Sequence, residues 1–389
     1  MTESQMASTL REIAAGGDVK TEEMLLNMGP QHPSTHGVFR VVVRTDGEIC
    51  LDAESHIGYL HRCFEKICES VNYLKATPYT DRLDYLMSMG NNLGYALAVE
   101  RLMDVEIPER AQYIRVIVTE LNRIASHLLA IGTYGMDIGA ITPFLLCFRD
   151  REKILYILET ICGQRLNYNY VRVGGVAYDV DAKMLQMIKD FCDYFLPRVM
   201  EYNDLLTYNG IFIKRTAKVG VLPVDLAIQY GCTGPVLRGS GVKRDLRKDA
   251  PYCLYDRFDF DVPVGTGEAG AVGDCFDRYM VRMREMIESI KIVRQALQQM
   301  PAVGPFKNEK VKGKFKTKVG DAYTSVENSR GELGFYVVSD GTDQAFRLKC
   351  RSPAFSNISV LHEISRGAMV ADLVAIIGSL DIVMGEIDR

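Results

Sequence analysis

The stretch Y113-IRVIVTELNRIASHL-L129 sets Tyr113, Ile114, Ile117, Val118, Leu121, Ile124, Ala125, Leu128 and Leu129 on a 3.6-residue rhythm. That spacing lays them along one stripe of an α-helix, the kind of stripe a helix buries against other helices. Pro108, just upstream, suits a first helical position, where its missing N–H has no partner to lose. The same rhythm returns over 149–162, 182–208 and 275–300, so the middle of the chain reads as a helical bundle. Met280, Met283, Met286 and Ile287 fall on one such stripe and read as core. Working outward, residues 1–23 are polar, contain Gly16-Gly17 and read as a loose arm. Residues 24–56 form a β-rich section, with strand-like runs at 24–27 and 38–43. The bundle core occupies 57–300. Residues 301–389 then supply a Lys-rich linker at 307–318, two strands at 332–339 and 346–350, and an apolar helical segment at 360–380. The expected fold class is mainly α within an α+β chain, with β-rich sections at both ends of a central helical bundle.

Composition narrows the function. Hydrophobic residues make up 47% and charged residues 25% of the 389, an ordinary globular balance. The 46 basic and 50 acidic residues give −4, so no global positive field calls for nucleic acid. No basic-then-apolar leader opens the chain. The most apolar long run, 369–380, contains Asp372 and falls short of the ~20 residues a membrane-crossing helix needs. Ten cysteines are present without a CxxC pair; Cys63 and Cys68 come nearest, five apart. A zinc or iron–sulfur centre held by this chain alone is therefore not expected, and the thiols read as reduced and mostly buried.

Several local patterns ask for a reading. G265-TGEA-G270 fits GxGxxG, but the preceding DRFDFDV alternates charge with apolar residues as a half-exposed strand does, and the segment downstream is still helix where an acidic strand end would be needed. It reads as a loop. L237-RGSGVKRDLR-K248 concentrates five cations without interleaved aromatics and reads as a solvated or subunit-facing surface. G29-PQHPSTH-G37 carries two histidines that a turn does not require. His32 and His36 are four apart, yet Pro33 disfavours the helix that would align them on a metal, and no carboxylate stands in the loop. They are either solvated or an imidazole offered to a ligand as proton donor. P78-YTDRLDY-L86 is either a helix start or a phenol presented to a carbonyl. Asp137 stands in an otherwise apolar, glycine-containing segment, where a carboxylate wants a partner such as an imidazole.

Taken together, G29-PQHPSTHG-V38, I57-GYLH-R62 with F64-E-K66, I114-RVI-V118 with E120-L-x-R-x-ASH-L128, G139-A-x-TP-F144 and G378-SLD-x-VMGEID-R389 resemble the 49-kDa-type, quinone-site subunit of proton-pumping NADH:quinone oxidoreductase, respiratory complex I. The resemblance runs from about residue 22 to the last. It implies a hydrogenase-large-subunit-like fold, because that family is related to nickel–iron hydrogenases. The stretches matching the hydrogenase metal motifs are R82-LDYL-M87 and D381-IVMG-E386, so Asp84, Met87, Val383 and Glu386 stand where thiolates would be. None supplies the soft sulfur such a centre needs, and the resemblance implies no metal here.

The resemblance further implies that His36 and Tyr85 hydrogen-bond the two carbonyls of a quinone head group and that Asp137 pairs with His36. Arg62 and Arg82 would lie beside a [4Fe–4S] cluster held by a partner iron–sulfur subunit, and this chain would hold no cofactor of its own. Other expected partners are further peripheral-arm subunits and a membrane subunit carrying the quinone channel, with no nucleic acid. The expected place is peripheral, on the cytoplasmic side of the inner membrane. Cys63, Asn167 and Ile382 depart from the family pattern of Gly, His and Pro. Competing readings are the equivalent subunit of a membrane complex fed by ferredoxin or another donor, a true hydrogenase, and a scaffold.

Overall fold

The first strands form because β-branched residues are concentrated there and their burial alternates. In Arg40–Asp46, Val41, Val43 and Thr45 point inward and are buried, while Arg44 faces out. This strand pairs antiparallel with Glu23–Met28 on one side and Ile49–His56 on the other, with a bulge at Arg44/Thr45. The computed structural model describes residues 23–30, 36–311 and 313–389; His32 lies outside them.

Helix Glu109–Asp137 is the axis of the molecule, packed by Ile141–Cys162, Cys275–Gln299 and Val370–Leu380. Its apolar stripe is buried as the rhythm predicts, but so are Arg115, Glu120, Arg123 and His127 on its other sides. Arg115 pairs with Glu100, and His127 lies 2.8 Å from Glu285. A helix buried all round needs such pairs, because an unpaired charge in its surroundings would be prohibitive. Helix Ile141–Cys162 starts eight residues before the expected 149; Pro143 sits in its first turn, where no intrahelical N–H is required. Helix Ala182–Tyr202 gives way to a π-helical turn, Asn203–Thr207.

A second antiparallel sheet is formed by Gly320–Asn328, Gly331–Ser339 and Arg347–Arg351 in chain order. Its first strand is absent from the sequence expectation: G320-DAYTSVE-N328 is mostly polar and, apart from Ala322, carries its burial toward Asn328. The segment 360–380 is two helices, Leu361–Ser365 and Val370–Leu380, separated by Gly367 at φ 77°. The molecule is thus a mixed, helix-rich α and β chain with antiparallel sheets. No described helix is long and apolar enough to cross a membrane.

Two expectations need correction. The basic segment 237–248 is not a solvated face. Lys243, Arg244 and Lys248 are exposed, but Arg238 and Arg247 are fully buried. Arg238 donates to Glu285 and Glu327, and Arg247 to Asp245 and Glu120. Apart from Asp245, within the segment, their partners come from remote helix and strand positions, so local charge density misled. Burial alone would raise Glu120, yet Arg123 and Arg247 hold its carboxyl below the usual range. The run DRFDFDV is not a strand: it is one 3-10 turn, Tyr255–Arg257, followed by unpaired extended chain. The 265–270 segment is a loop, tied down by the Gly267 amide donating to the Asp277 carboxylate at 2.9 Å.

Candidate functional site

Asp137 ends the central helix because Gly139 follows in the left-handed region, φ 102°, and the amides of Ile138, Gly139 and Ala140 close back on the last turn. Its carboxylate points out of a helix C-terminus, where the helix dipole disfavours negative charge. A cationic partner is the natural compensation. His36 supplies the ring: its Nε2 lies 2.9 Å from Asp137 Oδ2, with the side chains 16% and 4% exposed. The approach is out of line for an N–H donor, and neither atom has a hydrogen-bond partner among the described residues. The contact is an ion-pair distance. His36 itself adopts φ 51° and Gly37 φ 117°, so the chain swings the imidazole in through two consecutive left-handed residues.

Helix Val370–Leu380 passes close behind this pair. A Cβ added at Gly378 would lie 2.7 Å from Tyr134 Cδ2 and 3.4 Å from Asp137 Oδ2. Gly378→Ala is therefore expected to destabilise the protein by about 1–3 kcal/mol, the range for overpacking a filled interior. A melting temperature indistinguishable from the parent would contradict the close approach.

Tyr85 sits on the irregular stretch between helices Tyr73–Thr80 and Ser88–Met103, and buried side chains hold that stretch by its carbonyls. Ser88 Oγ donates to Asp81 O, Asn91 Nδ2 to Asp84 O, and Asn122 Nδ2 to Leu86 O, all at 2.8–2.9 Å. Asp84 Oδ1 accepts from the Leu86 amide, and its Oδ2 from Arg330. On this frame the Tyr85 side chain is half-buried, and its hydroxyl makes no hydrogen bond to a described residue. Burial first, then the Asp84 charge, push the phenol above its ordinary value, against the pull of Arg330 and Arg62. The group is a neutral O–H donor at physiological pH.

Arg62 and Arg82 come to the same stretch. Arg62 Nη2 donates to the carbonyls of Arg82 at 2.6 Å and Gly385 at 3.2 Å, while both residues remain exposed. The 58–61 segment is fastened to the end of the chain: the amides of Gly58 and Leu60 donate to the Asp388 carboxylate at 2.8 and 2.7 Å.

The structure thus joins His36 to Asp137, and Arg62 to Arg82 and the Tyr85 stretch. No ion pair or hydrogen bond among the described residues joins His36 to Tyr85. Concavities of about 410 and 530 Å3 open elsewhere, beside Cys63 and between helices Ile141–Cys162 and Ala182–Tyr202. Among the described residues no three His, Cys, Asp or Glu side chains are grouped to hold a metal ion. What sequence reasoning missed is Arg330, the buried cation that organises Asp84. It occupies the turn Asn328–Gly331 between two strands, and a polar hairpin turn ordinarily signals exposure, so no local pattern marks it.

The sequence matches the family model for the respiratory-chain NADH dehydrogenase 49 Kd subunit over residues 137–319 and 306–389. The NADH-quinone oxidoreductase D subunit of Chlorobium luteolum is 54% identical over 374 residues, covering 96% of this chain and 95% of its own. That of Chlorobaculum tepidum is 54% identical over 374 residues, with 96% and 94% covered. That of Prosthecochloris aestuarii is 51% identical over the same length, again with 96% and 94% covered.

Proposed function

Because the chain belongs to the family of the 49-kDa subunit of respiratory-chain NADH dehydrogenase, we propose that it fills that subunit's place in a proton-translocating NADH-quinone oxidoreductase and forms the site where the quinone head group is held and reduced. The observation that carries this reading is the Tyr85 phenol: neutral, half-buried, without a hydrogen-bond partner among the described residues, on a backbone pinned at several carbonyls. Such a donor is preorganised for charge that develops on a ligand oxygen. His36 serves the second carbonyl, and Asp137 orients its ring.

Forming quinol takes two electrons and two protons. An iron–sulfur cluster of a partner subunit would supply the electrons, and the cations of Arg62 and Arg82 would favour its reduced state. His36 and Tyr85 each offer a proton to one oxygen. The chamber closes only against partner subunits, in keeping with the exposed apolar residues around Asp137, such as Ile141 and Leu145, each 61% exposed. In this reading the chain sits on the cytoplasmic face of the membrane, docked on a membrane subunit that carries the quinone channel.

Tyr85→Phe in the assembled complex tests the assignment. NADH:quinone turnover is expected to fall at least about tenfold, matching the loss of a buried hydrogen bond of roughly 1.5 kcal/mol. Unchanged turnover in an intact complex would reduce the chain to a scaffold. A structure with a quinone-site inhibitor bound would locate the head group directly.

A further inference from the structure

The thiol of Cys63 and the ring of His61 form a pair outside the quinone site. Cys63 is the exposed one of the ten cysteines; Cys162 and Cys253 are half-buried and the other seven buried. Its Sγ lies 3.8 Å from His61 Nε2, within reach of a hydrogen bond to sulfur. The ring's other nitrogen settles the tautomer of the neutral imidazole. Nδ1 lies 2.7 Å from the Asp388 carbonyl oxygen, which can only accept, so Nδ1 carries the hydrogen and Nε2 presents its lone pair to the thiol. A nucleophile, a base within reach and a third group that orients the base are the parts of an activated cysteine.

The pair opens onto usable space. Both residues line the concavity of about 410 Å3, a size inside the roughly 300–1,000 Å3 of small-molecule sites. Four cations line it with them: Lys66, Arg347, Lys349 and Arg389. These share the carboxylates of Glu65 and Glu69 at 2.7–3.8 Å. Asp388 lines the concavity too, but its carboxylate oxygens are taken by the amides of Gly58 and Leu60. Four cations around two carboxylates draw in an anion. The half-buried thiols lack such a setting. Burial pushes Cys162 and Cys253 up to about 11, which keeps them protonated and poorly nucleophilic at neutral pH.

We propose that Cys63 and His61 form a thiol–disulfide exchange site for small disulfides that carry carboxylates, and that the mixed disulfide slows the enzyme. His61 Nε2 takes the Cys63 proton, and the thiolate sulfur attacks one sulfur of the incoming disulfide. A new S–S bond forms as the reagent's own breaks. The electron pair leaves on the second sulfur, which departs as a thiol with the proton from His61. Cys63 is thereby oxidised to the disulfide level and the departing half reduced, and a thiol reductant reverses both changes. Arg62 stands between the two residues of the pair. Its guanidinium donates to the carbonyls of Arg82 and Gly385, and its amide to the Arg389 carbonyl at 3.2 Å. A bulky adduct on the next residue loosens this hold on Arg82, three residues before Tyr85. The exchange chemistry stands apart from the quinone reading; its effect on turnover rests on that reading.

The experiment treats the assembled complex, in its membrane, with glutathione disulfide and follows each cysteine by peptide mass. The Cys63 peptide is expected to gain the adduct at least about tenfold faster than those of Cys162 and Cys253. His61→Gln should slow the reaction about tenfold, a modest loss for a positioned base. Lys66→Gln combined with Lys349→Gln should slow glutathione disulfide while leaving the rate with neutral hydroxyethyl disulfide unchanged. NADH:quinone turnover should fall in proportion to the adduct and recover with dithiothreitol. Cys63→Gly, which suits the left-handed backbone at φ 56°, should keep the parent's turnover and resist the reagent. Cys63 unmodified in the intact complex, or modified no faster than Cys162 and Cys253, overturns the site. An adduct at Cys63 with unchanged turnover overturns its effect on the enzyme. Tyr85→Phe separates the failures: a loss of turnover there leaves the quinone reading standing while the exchange site falls alone.

Discussion

Arg330→Met is expected to destabilise the protein by about 3–5 kcal/mol, the magnitude for removing one side of a buried ionic cluster. The guanidinium makes hydrogen bonds to Asp84, Asp381, Ser126 and Ser329, all of them buried. Without it, Asp84 and Asp381 have no hydrogen-bonded cation. The folded-state carboxyl of Asp84 would rise further above its unfolded value, a tendency it already shows through burial despite Arg330. Groups raised in this way weaken the fold at neutral pH and cease to do so once protonated. The deficit of the variant should therefore shrink as the pH is lowered. The level of assembled complex and its melting transition at two pH values would measure this. A variant as stable as its parent at neutral pH would mean that Arg330 does not hold the cluster together.

Asp137→Asn should have the opposite profile: a large loss of activity with little loss of stability. The carboxylate at a helix C-terminus opposes the helix dipole, so neutralising it relieves a cost of about 0.3–1 kcal/mol. This offsets much of the loss of a pair whose imidazole is partly exposed. Quinone reduction should nevertheless drop on the order of a hundredfold, the low end for a misplaced proton donor. His36→Ala should lose about as much, and the double variant little more, because the two side chains act as one unit. Additive losses would show that they act separately. A melting transition lowered by several degrees would show that the pair is structural.

The long helices were readable because a 3.6-residue rhythm depends only on neighbours in sequence. The central helix appeared in the sequence as an apolar stripe, but the burial of its polar side did not. Arg123 is a local partner of Glu120, but Arg247, its other cation, and Glu285, the partner of His127, lie 127 and 158 positions away, and no window of sequence spans them. The same distance hid Arg238 and Arg247 inside what read as a solvated basic run. The strand 320–328 escaped notice because its polar half lies at the sheet margin. At the site, composition and spacing went only as far as marking His36, Tyr85 and Asp137 as surplus to local structure. Their grouping came from the family resemblance, and the fold supports it for His36 and Asp137, which meet across 101 residues of chain. Nothing local announced Arg330.

The way the Tyr85 stretch is fastened has an evolutionary consequence. Its grip is on peptide carbonyls, supplied by Ser88, Asn91 and Asn122, and none of it depends on what residue 85 carries. A mutation there can swap the reactive group while the platform keeps its shape, so natural selection could trial new chemistry at one position without first rescuing a collapsed fold. Descendants of such a platform would be expected to differ most at the outward side chain and least in the serine and asparagines behind it.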